Sequence, residues 1–222
     1  MTGYDTIWDE IYGRGEQLNR YPFSSVVTFL FRHAPRNKAR GETKILEIGC
    51  GAGNNLWFAA REGFAVSGLD ASEAALDYAR TRFAQDGLSA ELVTGDFTNL
   101  PFADGEFDIV LERAALSQTP KPAARKAVEE CARVLAPGGK IYCEIYSDRS
   151  TTRGRPIEGG LLVDTEGPFS GVGQIAFYGR PEIEALFAGV FKIVDLDHTE
   201  TMAVARKPYE VFAHWAVIAE RA

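Results

Sequence analysis

The chain has 222 residues, 45% of them hydrophobic and 25% charged, with a formal net charge of −7. This composition suits one soluble unit with a sizeable core, and the acidic balance argues against a long polyanion such as nucleic acid as partner. There is no run of eighteen apolar residues, and the first five residues lack the charged-then-apolar layout of a signal peptide, so a cytoplasmic protein without a membrane segment is expected. Cys50, Cys131 and Cys143 lie too far apart for metal-ligand spacing or a disulfide framework.

In chain order, residues 4–12 read as a helix with Ile7, Trp8, Ile11 and Tyr12 on one face. A loop with Gly13 and Gly15 leads through Arg20-Tyr21-Pro22 to a strongly apolar helix, Phe23 to Arg32. Arg32, Arg36, Lys38 and Arg40 form a basic run that reads as a solvated face. Ile45, Leu46 and Ile48 then make a strand apolar on both faces. Gly49, Gly51 and Gly53 supply a turn that lets backbone approach a ligand. Asn54 and Asn55 open a helix that Gly63 ends, and a second strand, Phe64 to Leu69, finishes on Asp70. Ser72 reads as the N-cap of the next helix. A third strand spans Ala90 to Phe97 and a fourth Phe107 to Leu111, with Glu112, Arg113 and Ala114 past its tip. A helix from Ala123 to Ala132 and the turn Pro137-Gly138-Gly139 precede a fifth strand, Ile141 to Ile145.

Ser147 to Gly173 shows no sustained periodicity and reads as a long substrate-side loop, with 160–164 able to form a hairpin strand. The end of the chain reads as a helix from Pro181 to Phe187 and two strands, Phe191 to Asp197 and His214 to Ala219, paired antiparallel.

The βαβ unit at 45–70 places an acid at the tip of its second strand, where it can bind the two hydroxyls of an adenosine ribose. A dinucleotide site would need G-x-G-x-x-G. This chain has G-x-G-x-G, with Asn54 where the third fingerprint glycine would stand and no adjacent Lys or Arg for a phosphate. A nucleoside without a pyrophosphate fits better. Leu46-Glu47-Ile48-Gly49-Cys50-Gly51-Ala52-Gly53, the acid Asp70, Asp96-Phe97, the 100–110 approach to the fourth strand and Leu135-Ala-Pro-Gly-Gly139 occur in one order. In these motifs the chain resembles the class I S-adenosylmethionine-dependent methyltransferases over residues 40–146.

The resemblance implies an α/β three-layer sandwich around a seven-stranded, mostly parallel sheet of order 3-2-1-4-5-7-6, its last strand antiparallel, with an N-terminal helical cap. It implies one domain over 1–222: cap 1–40, donor-binding core 41–146, substrate-side segment 147–180 and C-terminal elements 181–222. It also implies S-adenosyl-L-methionine as donor, S-adenosyl-L-homocysteine as product, and no metal. The donor contacts it suggests are Tyr12, Arg20 and Tyr21 from the cap, Glu47, Gly49, Cys50, Gly51, Asn54 and Asn55 around the turn, Asp70 and Ala71, Gly95, Asp96 and Phe97, and Glu112 and Arg113. Arg20 is the candidate partner of the donor's carboxylate.

The acceptor is expected to be a small molecule methylated on O or N. Many relatives carry a His near the fourth strand's tip and this chain has none, which excludes a His base there. Arg113, His198 and Tyr178 are the catalytic candidates, and Tyr146, Arg153 and Tyr178 the acceptor contacts. His33 reads as exposed, and His214 as a packed strand histidine. Two other readings stay open: a nicotinamide-dependent oxidoreductase, which NADH fluorescence would reveal, and a non-catalytic donor-binding partner subunit. A monomer or homodimer, with no nucleic-acid or membrane partner, is expected.

Overall fold

The structure, a computed structural model, describes residues 7–205 and 207–222. Two cap helices come first, α1 (Ile7–Gly13) and α2 (Ser24–His33). Residues 4–6 of the expected first helix lie outside the described residues. The core runs β1 (Lys44–Ile48), α3 (Asn54–Arg61), β2 (Ala65–Asp70), α4 (Glu73–Gln85), β3 (Glu91–Thr94), β4 (Phe107–Arg113), α5 (Lys121–Val134) and β5 (Leu135–Tyr146). Then follow β6 (Arg153–Ile157), β7 (Leu161–Glu166), β8 (Ile175–Ala176), α6 (Arg180–Phe187), β9 (Phe191–Ala203) and β10 (Glu210–Arg221).

Seven strands pair in the order β3-β2-β1-β4-β5-β10-β9, which is the expected 3-2-1-4-5-7-6. β1 pairs in parallel with β2 and β4, and β10 runs antiparallel between β5 and β9. Period-2 alternation divides the core. Leu46, Ile48, Val110, Cys143, Ile145 and Val217 pack with Val128 and Cys131 of α5 and Ile183 and Phe187 of α6. Ile45, Ile109, Leu111 and Tyr142 pack on the other face, with Val26, Phe29 and Leu30 of α2 and Leu56 and Ala59 of α3. Burial on both faces explains why these strands read as continuous apolar runs.

Local signals set the element ends. Gly53 precedes α3 with φ 69°, a left-handed value that favours glycine. The Ser72 hydroxyl accepts from Ala75 N at 3.2 Å, the N-cap expected from sequence. Pro122 occupies the first turn of α5, where its missing N–H costs nothing.

Several boundaries differ from the sequence reading. β4 continues through Glu112 and Arg113, so these residues form the strand's carboxyl end. β5 begins at Leu135 and includes Pro137-Gly138-Gly139, with a register irregularity opposite Phe107–Ile109. Residues 153–176 build a small antiparallel sheet, β6-β7-β8, where a loop with one possible strand was expected. Its strands show little apolar alternation because most of their side chains stay in solvent; Leu161 and Thr165 are the buried residues of β7. The β9–β10 hairpin likewise outruns the expected bounds, into a stretch where β9 is exposed.

Candidate active site

The carboxyl ends of β1, β2, β4 and β5 open into a cavity of about 590 Å³, roofed by the cap. Its floor is the glycine turn. Gly49 has φ 62°, and a Cβ there would stand 2.3 Å from the Ala115 Cβ; Gly51 has φ 50°, and a Cβ there would stand 2.4 Å from the Tyr12 hydroxyl oxygen. Only glycine fits either place.

Asp70 ends β2 beside this turn. Its Oδ2 accepts from Gly51 N at 2.7 Å and its Oδ1 from Ser72 N at 2.9 Å. Burial raises its pKa, and these two N–H groups oppose the rise. The carboxylate is thereby fixed in orientation with lone pairs left for ligand hydroxyls. α1 is tied down over the same place: Asp9 Oδ1 accepts from the Ser72 hydroxyl at 2.8 Å and from Ala74 N at 3.2 Å. Burial also pushes the Tyr12 hydroxyl well up, so it stays protonated.

Glu47 is fully buried, and desolvation raises its carboxyl to about 8. Asn55 Nδ2 donates to its Oε1 at 2.7 Å; its Oε2 has no hydrogen-bond partner among the described residues. Asn55 also accepts from Phe23 N at 3.0 Å, and Asn54 Nδ2 donates to the Tyr21 carbonyl at 2.8 Å. A guanidinium nitrogen of Arg82 donates to the Arg20 carbonyl. The two asparagines expected to contact the donor line the cavity, and their amides hold the backbone of the cap.

At the other end, Arg113 lies flat on the Phe23 ring, 3.5 Å from its centroid, with its Nε 3.2 Å from Glu144 Oε2. The Ser25 hydroxyl at 2.5 Å and the Tyr142 hydroxyl at 2.7 Å donate to Glu144 Oε1. Tyr146, pushed up to about 12 mainly by burial, completes this wall with Ala114, Ala115, Gln118 and Thr119. Ala114 has φ 65°, uncommon for a residue with a Cβ, at the point where β4 hands over to the loop.

The cavity thus brings together Tyr12, Glu47, Gly49, Cys50, Gly51, Asn54, Asn55, Asp70, Ala71, Phe97, Arg113 and Tyr146 from those singled out in the sequence. The others stand off it. The Arg20 and Tyr21 side chains are exposed, Tyr21 at 77%, and only their carbonyls are gripped; Phe23 lines the cavity instead. Gly95 donates its N–H to the Asp70 carbonyl at 2.9 Å, and Asp96 Oδ1 accepts from Thr98 N at 2.8 Å, shaping the loop that presents Phe97. Glu112 is buried beneath the site, raised to about 8 by desolvation, with Oε1 accepting from Leu116 N at 2.9 Å. Arg153 is exposed on β6.

His198 and Tyr178, expected as catalytic candidates, are also absent from the cavity lining. His198 pairs with Trp215 across β9 and β10 and packs on its ring at 4.2 Å, with Nε2 2.8 Å from the Ser147 hydroxyl. Trp215 belongs to the α5–α6 face, so strand register turns His198 away from the cavity. Tyr178 is buried in that same core. His214, read as packing, registers opposite Tyr146 and shares its face. Sequence reasoning missed Trp8, Asp9, Glu10, Gln17, Asn19, Phe23, Ala52, Ser72, Glu73, Ala115, Gln118 and Thr119 as cavity residues. Asp9 had a signal, lying one helical turn from Tyr12. Among the described residues no group of three or more His, Cys, Asp or Glu could hold a metal ion.

Residues 45–139 match the family profile described as a methyltransferase domain. Ubiquinone biosynthesis O-methyltransferase of Thiobacillus denitrificans is 39% identical over 101 residues, 45% of this chain and 42% of that protein. The match therefore spans less than half the length of that curated relative. A Methanosarcina mazei structure described as a SAM-dependent methyltransferase superposes with a TM-score of 0.70 at 21% identity, over 90% of this chain and 98% of that one. The Burkholderia thailandensis 1,6-didemethyltoxoflavin-N1-methyltransferase, solved with its namesake ligand and S-adenosylhomocysteine, gives 0.70 at 16% identity, over 98% and 86%. At such identities the structures speak for the fold, and the profile for the segment that forms the cavity floor. Over residues 45–139 the chain is therefore similar to methyltransferase domains, and its whole fold is shared with those solved structures.

Proposed function

We propose that the protein transfers a methyl group from S-adenosyl-L-methionine to an O or N atom of a small-molecule acceptor, as one functional unit of cap, donor core, substrate-side segment and C-terminal elements. The observation that carries this reading is Asp70, fixed by two backbone N–H groups beside a turn with no room for a Cβ at Gly49 or Gly51. The residues suit that donor: a carboxylate for ribose hydroxyls, the Phe97 side chain as an apolar wall, and an unpartnered buried Glu47 oxygen near the turn. When bound, the donor supplies a methyl already activated on a sulfonium, so transfer is an in-line displacement.

The chain's own part is alignment and exclusion of water, which can contribute several kcal/mol. Tyr12 and Phe23 close the roof, Asp70 and the turn fix one end, and Arg113 with Tyr146 orient the acceptor at the other. The names of two similar proteins, a ubiquinone biosynthesis O-methyltransferase and a demethylmenaquinone methyltransferase, support a small acceptor. Calorimetry with S-adenosylhomocysteine tests the reading. Binding should be measurable, and Asp70→Ala should weaken it at least tenfold; no binding by the unaltered protein would end the assignment.

A further inference from the structure

The cavity is chemically divided. Its acids, Asp9, Glu10, Glu47, Asp70 and Glu73, come from α1, β1, β2 and the start of α4, and Glu47, with the buried Glu112 beneath the site, also lies within electrostatic reach of Arg113. The opposite wall consists of Phe23, Arg113, Ala114, Ala115, Gln118, Thr119 and Tyr146. Among the described lining residues, Arg113 is the one cation, and no carboxylate or imidazole lines this wall. Glu144 lies behind it, occupied by Ser25, Tyr142 and Arg113. His214 shares the Tyr146 face outside the lining set. The guanidinium lies on the Phe23 ring and interacts with the Tyr146 hydroxyl, and the Tyr146 ring is backed by Phe169 at 4.3 Å and Phe212 at 5.8 Å.

Such a wall offers hydrogen-bond donors and positive charge but nothing to take a proton. An ammonium would be repelled by Arg113, and an aliphatic alcohol would need a base that the wall lacks. An acidic O–H or N–H on a flat conjugated ring needs neither, since it ionises to water and is then held by the guanidinium. We propose that the acceptor is a planar, conjugated O–H or N–H acid, bound as its anion against Arg113 beside Tyr146. This rests on the methyl-transfer reading above and names its substrate class. The proton leaves to solvent first. The anion's lone pair then forms the new bond to the methyl carbon, while the old bond breaks with its electron pair retained by sulfur, giving two neutral centres from one anion and one sulfonium.

The test uses the full chain saturated with S-adenosylhomocysteine and two chromogenic probes, 4-nitrophenol and 7-hydroxycoumarin, titrated by absorbance from acid to alkali. A cation within a few ångströms should lower the bound probe's pKa by about one unit, a tenfold shift toward the anion. Arg113→Met should abolish the shift, whereas Arg113→Lys should retain part of it. The unaltered protein alone decides the sign, should the Met variant fail to fold. Failure of either probe to bind, or binding with an unchanged or raised pKa, overturns the inference, as does conversion of a labelled donor that prefers benzylamine or an aliphatic alcohol to phenols. Failure of S-adenosylhomocysteine itself to bind is separately visible by calorimetry and overturns the donor reading on which the inference stands.

Discussion

At the scale of single residues, backbone geometry is more demanding than side-chain identity. Gly51 combines φ 50° with contact to the Tyr12 hydroxyl, so Gly51→Ala meets two penalties, a left-handed backbone costing about 1–2 kcal/mol and a steric clash. S-adenosylhomocysteine affinity should fall more than tenfold in that variant. Adding Tyr12→Phe should recover part of the loss, because only the clash is relieved; calorimetry on the single and double variants checks this. Glu47 and Glu112 differ from ordinary carboxyls in the other direction. Burial raises both to about 8 from 4.5. Between those values the native state binds more protons than the unfolded chain, so their contribution to stability is complete below about pH 4.5 and is lost as pH climbs toward 8. Glu112→Gln should therefore raise the melting temperature at pH 8.5 by several degrees and leave it nearly unchanged at pH 4.5, as read by thermal denaturation across pH.

At the scale of elements, the cap is held by main-chain recognition. Asn54, Asn55 and Arg82, from α3 and α4, grip the backbone at Tyr21, Phe23 and Arg20 respectively. Asn55→Ala deletes the Phe23 contact and also strands Glu47, a loss of about 1–3 kcal/mol. Amide exchange at residues 20–30 should accelerate at least tenfold in that variant. This also explains what sequence could and could not disclose. Gly49, Gly51 and Asp70 were legible because their roles rest on backbone conformation and strand ends, which local sequence dictates. That Arg20, Tyr21 and His198 stand outside the cavity lining was not legible, because orientation depends on a loop path and on strand register, and a one-residue change of register exchanges the two faces of a sheet. The β6-β7-β8 sheet was only half legible, since its mostly exposed strands lack the apolar alternation that marks a buried face.

At the scale of the whole molecule, the sheet order was readable once the motifs appeared in sequence, and the two-sided core follows from it. Leu46 is fully buried at the centre of the sheet, so Leu46→Ala should cost about 2–5 kcal/mol of unfolding free energy, measurable by urea denaturation. Charge also acts at this scale. With a net charge of −7 and acids clustered at the donor end, the cavity should favour the cationic donor over its neutral product. Raising NaCl from about 0.05 to 0.5 M should weaken donor binding several-fold more than product binding, because screening removes only the first preference.

The insertion of β10 between β5 and β9 has an outcome for assembly. β9 emerges from the ribosome before the strand that joins it to the rest, so it must wait, with its backbone groups satisfied by water alone. Its neighbour then forms both seams at once, from Tyr146 opposite His214 to Phe191 opposite Arg221. β10 thus works as a zip fastener, and amides of β9 should gain protection during refolding only in step with those of β10.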